Sequence, residues 1–394
     1  MKKKIDLIAE AKTNQEALYA YIETSGQEFS EELCQTATGL FRNPDGLNSK
    51  EIQTSVTKER GQDLAGYYIW NNGQQSIDLD ESTEASGVLF DRLENIRQHA
   101  PEVAKKLETW QQNTQSDGYD KTLATLASET IVLYIPERAV ISKEWLLEVI
   151  LSAAEKDAAL QLWVYLAPRA EAVVTINQRS SQAQPETDNF FGSLLQVFVD
   201  DSARLILNEI QDFHEKAFAY NKKNVTVMGS ADLQWNICEL GAAKAKSISH
   251  VSLAGRGANA FVNGLYFPSD DQSIVIWTRQ DHMAPDTTSN LLFKGAVKDT
   301  SIANWQGMIY VDPVAAKTDG YQKNENLILS SEAVVNSKPG LEIITDDVRC
   351  SHGTTITQLD PTQIFYLMSR GIPEPEAEKL IIQGFFDTIL DRIT

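Results

Sequence analysis

Three rhythms of apolar and polar positions divide this 394-residue chain. Over roughly the first 120 residues the apolar positions recur at helical spacing. Ile8, Ala11, Leu18, Tyr21 and Ile22 form one stripe, and Phe29, Leu33, Ala37, Leu40 and Phe41 form a second that ends at the turn Asn43-Pro44-Asp45-Gly46. A third helix is predicted from Pro101 through Trp110, with proline in the first turn, where its missing N–H has no helical partner to lose. Residues 1–125 therefore read as an N-terminal helical domain.

From Thr130 the period shortens, and β-rich runs recur between Gly, Asp, Asn and Ser punctuation. The candidate strands are Ile131 to Ile135, Leu162 to Leu166, Val173 to Ile176, Leu194 to Val199, Leu205 to Leu207, Val225 to Met228, Leu233 to Ile237, Ser249 to Leu253, Ile274 to Trp277, Met308 to Val311, Leu327 to Leu329 and Leu341 to Ile344. Few connections after residue 190 have room for a helix, which disfavours βαβ units. A sandwich, a barrel and a parallel β-helix all satisfy the pattern. Spacings of roughly twenty residues, such as Val227 to Ser249, suit a solenoid of stacked rungs, although no tight sequence repeat accompanies them. This β core is placed at residues 126–357.

After Gln358 the helical period returns. Asp360 is a good N-cap with Pro361 at the first helical position, and Gly371 is a good stop. Pro375 to Ile393 is predicted as a second helix with the stripes Ile381, Phe385, Ile389, Ile393 and Ile382, Phe386, Leu390. Residues 358–394 form a C-terminal helical hairpin domain.

Charge and composition narrow the function classes. A formal charge of -20 argues against a nucleic-acid partner, because a phosphate backbone is held by clustered Lys and Arg. Met1-Lys2-Lys3-Lys4 resembles the start of a signal peptide, but Ile5-Asp6-Leu7-Ile8-Ala9-Glu10 lacks a continuous apolar core. No other stretch is long and apolar enough to span a bilayer, so no membrane association is expected and the chain is placed in the cytoplasm. Cys34, Cys238 and Cys350 are an odd number with no C-x-x-C spacing, which suits a reducing compartment. A cluster bound by four thiolates cannot be completed by this chain alone.

Most motifs fail on context. Gly255-Arg256-Gly257 is not a dinucleotide loop, because Phe261 to Phe267 continues as strand where a helix is required. There is no P-loop, no nucleophile elbow and no H-E-x-x-H, so neither an ATPase nor a hydrolase is indicated. His282, in Asp281-His282-Met283-Ala284-Pro285, reads as an exposed or loop-stabilising histidine. Cys34 and Cys238 read as small buried hydrophobes. The informative segment is Asp346-Asp347-Val348-Arg349-Cys350-Ser351-His352-Gly353-Thr354-Thr355. On an extended strand residues two apart share a face, so the Cys350 thiolate and the His352 imidazole can address the same metal, although C-x-H alone is a weak motif. The bland reading of the same spacing is a buried cysteine beside a hydrogen-bonded histidine. Proximity to Arg349 would favour loss of the Cys350 proton.

That segment and its continuation resemble the C-terminal signature of the SufB/SufD family. The resemblance extends upstream through Lys317-Thr318-Asp319-Gly320-Tyr321 to Ser330 and Pro339-Gly340-Leu341-Glu342-Ile343, and downstream through Glu376-Ala377-Glu378 and Gly384-Phe385. It covers residues 250–394 closely and the N-terminal region little. SufB-type chains carry E-H-E-A-T where this chain has Cys350-Ser351-His352-Gly353-Thr354, so the SufD branch is the nearer match. Gly353-Thr354-Thr355-Ile356-Thr357 departs from the common G-A-T-V-G without touching the metal-addressing pair.

The resemblance implies a mainly β chain, a right-handed parallel β-helix core flanked by N-terminal and C-terminal helical domains. It implies a non-catalytic scaffold of the SufBCD complex that pairs with SufB, recruits the SufC ATPase through the C-terminal helices, and forms a homodimer when isolated. His352 and Cys350 would then supply this chain's share of ligands to a transient iron–sulfur cluster shared with SufB, with ATP used by SufC and reduced flavin associated with the complex. Two other readings compete: a carbohydrate-active β-helix enzyme, and a purely structural partner that stabilises SufB without touching metal.

Overall fold

The computed structural model describes residues 64–71, 74–113, 129–151, 157–180 and 189–391, with Leu123, Ala124 and Ala127 between them. The two predicted helices before residue 43, and Cys34, lie outside the described residues.

The N-terminal part comprises β1 (Leu64–Asn71), β2 (Gln74–Leu79), α1 (Glu81–Glu84), β3 (Leu89–Arg92), α2 (Leu93–His99) and α3 (Pro101–Asn113). Sixteen strands follow: β4 (Thr130–Ile135), β5 (Val140–Leu151), β6 (Asp157–Leu166), β7 (Glu171–Ser180), β8 (Asn189–Val199), β9 (Arg204–Asp212), β10 (Ala217–Val227), β11 (Asp232–Glu239), β12 (Lys244–Leu253), β13 (Asn259–Tyr266), β14 (Ser273–His282), β15 (Thr288–Val297), β16 (Ile302–Val311), β17 (Thr318–Ile328), β18 (Val334–Ile343) and β19 (Val348–Gln358). The chain closes with α4 (Pro361–Ser369) and α5 (Glu374–Leu390).

From β4 onward each strand pairs in parallel with the strand two along, so even strands build one sheet and odd strands the other. The result is a parallel β-solenoid of about seven turns. The register gives the true repeat. Val227 pairs with Leu253, 26 residues on, whereas Ile302 pairs with Val334, 32 residues on. The predicted spacing of roughly twenty was too short, because each turn contains two strands and two corners of unequal length.

One corner is built the same way in turn after turn. Arg138, Arg169, Ser202, Ser230, Gly257, Asp286 and Lys317 all have positive φ. The N–H of each donates to the residue preceding its counterpart on the next turn: Arg138 to Pro168, Arg169 to Asp201, Ser202 to Gly229, Ser230 to Arg256, Gly257 to Pro285, Asp286 to Ala316 and Lys317 to Asp347. This ladder satisfies corner backbone groups that otherwise lack partners, and it holds non-glycine residues in a conformation they rarely adopt. Gly255 belongs to the same corner. A Cβ there would sit 2.0 Å from the Gly229 nitrogen, so the glycine serves close turn-on-turn packing rather than nucleotide binding.

Side chains alternate between the interior and the two outer faces. Tyr68, Trp145, Val164, Leu207, Trp235, Ile276, Phe293 and Trp305 belong to the interior core between the sheets. At the first end, β2 pairs antiparallel with β1 and β3 pairs antiparallel with β4, while α2 and α3 cover Val132, Trp163 and Tyr165 with Leu93, Ile96, Ala104 and Leu107. Residues 64–125, expected to be helical, thus contribute three strands as well as helices. The helix predicted from Pro101 is present as α3.

At the other end, Asp360 caps α4 by accepting from the Thr362 N–H at 2.8 Å, and Gly371 ends the turn with φ +89. Helix α5 lies against the outer face of the odd sheet. There Ile382, Phe386 and Ile389 are buried with Ile210, Cys238, Leu240, Leu265, Phe267, Ala296 and Leu327. Lys294 Nζ donates to the Phe385 carbonyl at 2.7 Å and sits 4.7 Å from the Phe385 ring. Helix α4 buries none of its residues. No helix among the described residues is long and apolar enough to cross a membrane.

Candidate functional site

The last turn of the solenoid sets the geometry of the Cys350/His352 segment. Among the described residues β19 pairs only with β17, and β18 only with β16, so both sheets end here. The register places Gly320 against Cys350, Gln322 against His352, Asn324 against Thr354 and Asn326 against Ile356. The β17 members of these pairs are buried interior residues. Cys350 and His352 therefore share the interior-facing side of the terminal strand. No further turn covers them, so His352 is exposed and Cys350 is half-buried.

The interior changes character towards this mouth. The first turns are filled mainly by apolar side chains, the middle turns admit Glu209, Lys223, Glu239, Ser249 and Thr278 among them, and the final turns contain Gln322, Asn324, Asn326 and Ser337. Thr354 Oγ1 donates to Ser337 Oγ at 2.7 Å, and Ser337 Oγ donates to Asn324 Oδ1 at 2.7 Å. Gln322 Nε2 donates to the Gly340 carbonyl at 2.8 Å. The bridges between β17, β18 and β19 are hydrogen bonds, so the mouth keeps its shape without an apolar plug.

Cys350 packs against Ile309, Val311 and Ala315. Burial raises its thiol pKa, the nearby Asp319 carboxylate adds to that, and a backbone hydrogen bond from Gly320 offsets it only in part. The expectation that Arg349 would favour the thiolate fails for a geometric reason. Arg349 points to the opposite face, is largely solvent-exposed, and pairs with Asp319 at 2.8 Å. These effects favour the thiol form of Cys350 over the thiolate.

The structure also brings in a histidine that the sequence pattern placed in a loop. His282 ends β14 and is fully buried, with Nδ1 2.8 Å from Thr287 Oγ1 and Nε2 2.8 Å from Ser289 Oγ. It stabilises the corner, as one of its two readings had it, but from inside the solenoid. Burial lowers its pKa to about 4, against the opposing pull of Asp281 and Asp319. A Cβ on Gly320 would lie 3.1 Å from Cys350 Sγ and 3.4 Å from His282 Nε2, which puts thiol and imidazole within 6.5 Å of each other (3.1 plus 3.4) across the glycine. The signal for this neighbourhood was the glycine two residues after Thr318, legible only once the register is known.

Cys238 behaves as expected of a small buried hydrophobe. It lies under α5, and burial pushes its thiol up to about 12. Among the described residues no group of three or more His, Cys, Asp and Glu side chains is arranged to hold a metal ion. Cys350 and His352 share one face of the terminal strand, and the open side of that face is turned out of the solenoid.

Comparison with known proteins places this geometry. Residues 149–385 match the family described as SUF system FeS cluster assembly, SufBD core domain. An iron–sulfur cluster assembly SufBD family protein of Mycobacterium leprae is 32% identical over 231 residues, 57% of each chain. The iron–sulfur cluster assembly protein SufD of Escherichia coli is 38% identical over 146 residues, 37% of this chain and 34% of its own. SufD of Bacillus subtilis is 24% identical over 321 residues, 80% of this chain and 72% of its own. The chain spans 57–59% of the length of the mycobacterial relatives that are 32% identical to it. Because the matched core covers more than half of the 394 residues and folds as the expected parallel β-solenoid, the chain belongs to the SufBD family of iron–sulfur cluster assembly proteins and is SufD-like within it.

Proposed function

We propose that this chain is a non-catalytic, SufD-type scaffold that pairs with SufB through the open end of its solenoid, and that Cys350 and His352 contribute ligands to a nascent iron–sulfur cluster held between the two subunits. The observation that carries this reading is the placement of both donors on the interior face of a terminal, unpaired turn. Two donors with an open side leave coordination positions for a partner to fill. The cluster is cargo here rather than a resident cofactor. Helix α4 supports recruitment of the SufC ATPase, since Phe365, Tyr366 and Met368 are all exposed on one short helix. ATP would then be used by SufC and not by this chain.

The test is reconstitution with SufB and SufC. His352→Ala is expected to leave the complex assembled on size exclusion while strongly reducing cluster absorbance. A wild-type cluster yield from the variant complex would sink the ligand assignment. If the chain forms only a homodimer in the presence of SufB, the pairing is wrong and the ligand assignment must be tested on that homodimer.

A further inference from the structure

The middle of the interior contains a charged group that an apolar core does not tolerate alone. Lys223 points inward from β10 and is buried, 3.3 Å from Glu209 and 3.0 Å from Glu239 on the opposite sheet. Trp235 Nε1 donates to Glu209 Oε1 at 2.5 Å. Glu239 Oε2 has no hydrogen-bond partner among the described residues.

From this cluster a column of small interior residues runs towards the mouth. The register stacks Lys223 on Ser249, Ser249 on Thr278 and Thr278 on Gly307. The Trp305 ring and Gln322 Oε1 lie where a Gly307 side chain would be, and Gln322 is adjacent in register to His352. Along this path Ser247 Oγ, Ser249 Oγ, Thr278 Oγ1, Gln280 Oε1, Trp305 Nε1 and Gln322 Oε1 are buried without hydrogen-bond partners among the described residues. All six face the interior by strand alternation with the core residues Val251, Ile276, Ala303 and Leu291.

Seven orphaned polar atoms in one compartment are too many for a native interior that satisfies its buried polar groups. Spacing explains why they do not satisfy one another. Hydroxyls on adjacent turns stand about 4.8 Å apart, beyond direct hydrogen-bond reach, whereas a water between them sits about 2.8 Å from each. The chemistry of the set selects among occupants. Three hydroxyls both donate and accept, Gln280, Gln322 and Glu239 only accept, and Trp305 only donates. An anion needs a surplus of donors, and a metal cation needs oxygens converging on one point. These atoms do neither, because they are strung along three turns.

We propose that the solenoid interior holds a file of bound water that begins at the Lys223–Glu209–Glu239 cluster, passes Ser249 and Thr278, and ends at Gln322 beneath the His352 mouth. The file solvates the buried ion cluster and connects it to the C-terminal end, where no further turn among the described residues covers the solenoid. This inference does not depend on the proposed partner or on metal binding.

A high-resolution crystal structure of the chain is expected to show a water within hydrogen-bond distance of both Ser249 Oγ and Thr278 Oγ1. Dry density between them, or side chains bonded directly to each other, overturns the proposal. Thr278→Val gives an independent sign test, because the replacement has the same shape and removes only the hydroxyl. Deleting a partner of bound water lowers Tm by about 1–3 K, whereas deleting a dry, unsatisfied hydroxyl leaves Tm unchanged or raises it. Ser249→Ala serves as the second variant, and a rise in Tm for either replacement counts against the file.

Discussion

Phe386→Ala should detach α5 from the solenoid without unfolding the solenoid itself. Phe386 is 1% exposed and lies edge-on to Phe267, with ring centroids 6.3 Å apart. Truncating a fully buried phenylalanine to alanine typically costs about 3–5 kcal/mol. Ile382 and Ile389 remain as anchors worth roughly 1.5–3 kcal/mol each. Lys294 Nζ still donates to the Phe385 carbonyl at 2.7 Å. Phe386 is therefore the largest single share of the docking energy, and its loss lowers the opening free energy of α5 by enough to reduce amide protection about a hundredfold or more, at 1.36 kcal/mol per decade. The main core between the sheets is a separate cluster, so the amides of β8 to β13 should keep wild-type protection. Hydrogen exchange read by mass spectrometry distinguishes the two regions. Unchanged α5 protection would refute the packing argument, and a parallel loss in β8 to β13 would refute the separation of the two clusters. The same packing sets what a truncation after Gly371 does. Removing α5 uncovers Ile210, Leu240, Leu265, Phe267 and Leu327 together, so such a chain is expected to self-associate on size exclusion.

The other predictions concern the mouth, α4 and the buried thiol. Cys350→Ser is expected to lower cluster yield less than His352→Ala, because the thiol must first lose a proton that burial holds; a more damaging cysteine change reverses that ranking. Phe365→Ala combined with Tyr366→Ala should weaken SufC capture in a pull-down while leaving Tm unchanged, since both side chains are exposed; full capture by the double variant would remove α4 from the docking surface. At pH 8 iodoacetamide should modify Cys350 far faster than Cys238, whose pKa near 12 leaves about one thiolate in ten thousand; peptide mapping that finds Cys238 alkylated at a comparable rate would show that α5 does not cover it. Because the folded Cys238 pKa lies above the unfolded value, its contribution to stability is intact below pH 9 and is lost as the pH rises from 9 towards 12.

Sequence periodicity revealed the β-rich middle, the helical hairpin and the shared face of Cys350 and His352, each of which depends on spacing within one element. It did not reveal β5, whose Lys143-Glu144-Trp145-Leu146-Leu147-Glu148 has helical composition. Tertiary pairing overrides that preference, and Glu148 finds its partners on β7 in Asn177, at 3.1 Å, and Arg179. The solenoid repeat was hidden because turns differ in length and because Asn221, Lys223, Ser249 and Thr278 interrupt the apolar alternation from inside. His282 was misplaced for a similar reason. Its burial depends on the corner hydroxyls of Thr287 and Ser289 and on a glycine 38 residues away, and no local window contains that information.

The two ends of the solenoid differ in a way that bears on the proposed scaffold role. At the N-terminal end short antiparallel strands and two helices cover the first turns. At the C-terminal end β18 and β19 are the last strands of their sheets among the described residues, with the exposed side chains of Val334, Ile343 and Ile356 at their rim. An edge of that length is an association hazard unless something covers it. Inside the rim, however, the last turns are lined by Gln322, Asn324, Ser337 and Thr354, hydrogen-bonded to one another. An obligate, permanently sealed joint would favour an apolar interior continuous across it. On the proposed reading, a polar mouth inside an apolar rim suits an interface that opens without exposing the main core, and it would leave the thiol of Cys350 and the imidazole of His352 facing an entering cluster component.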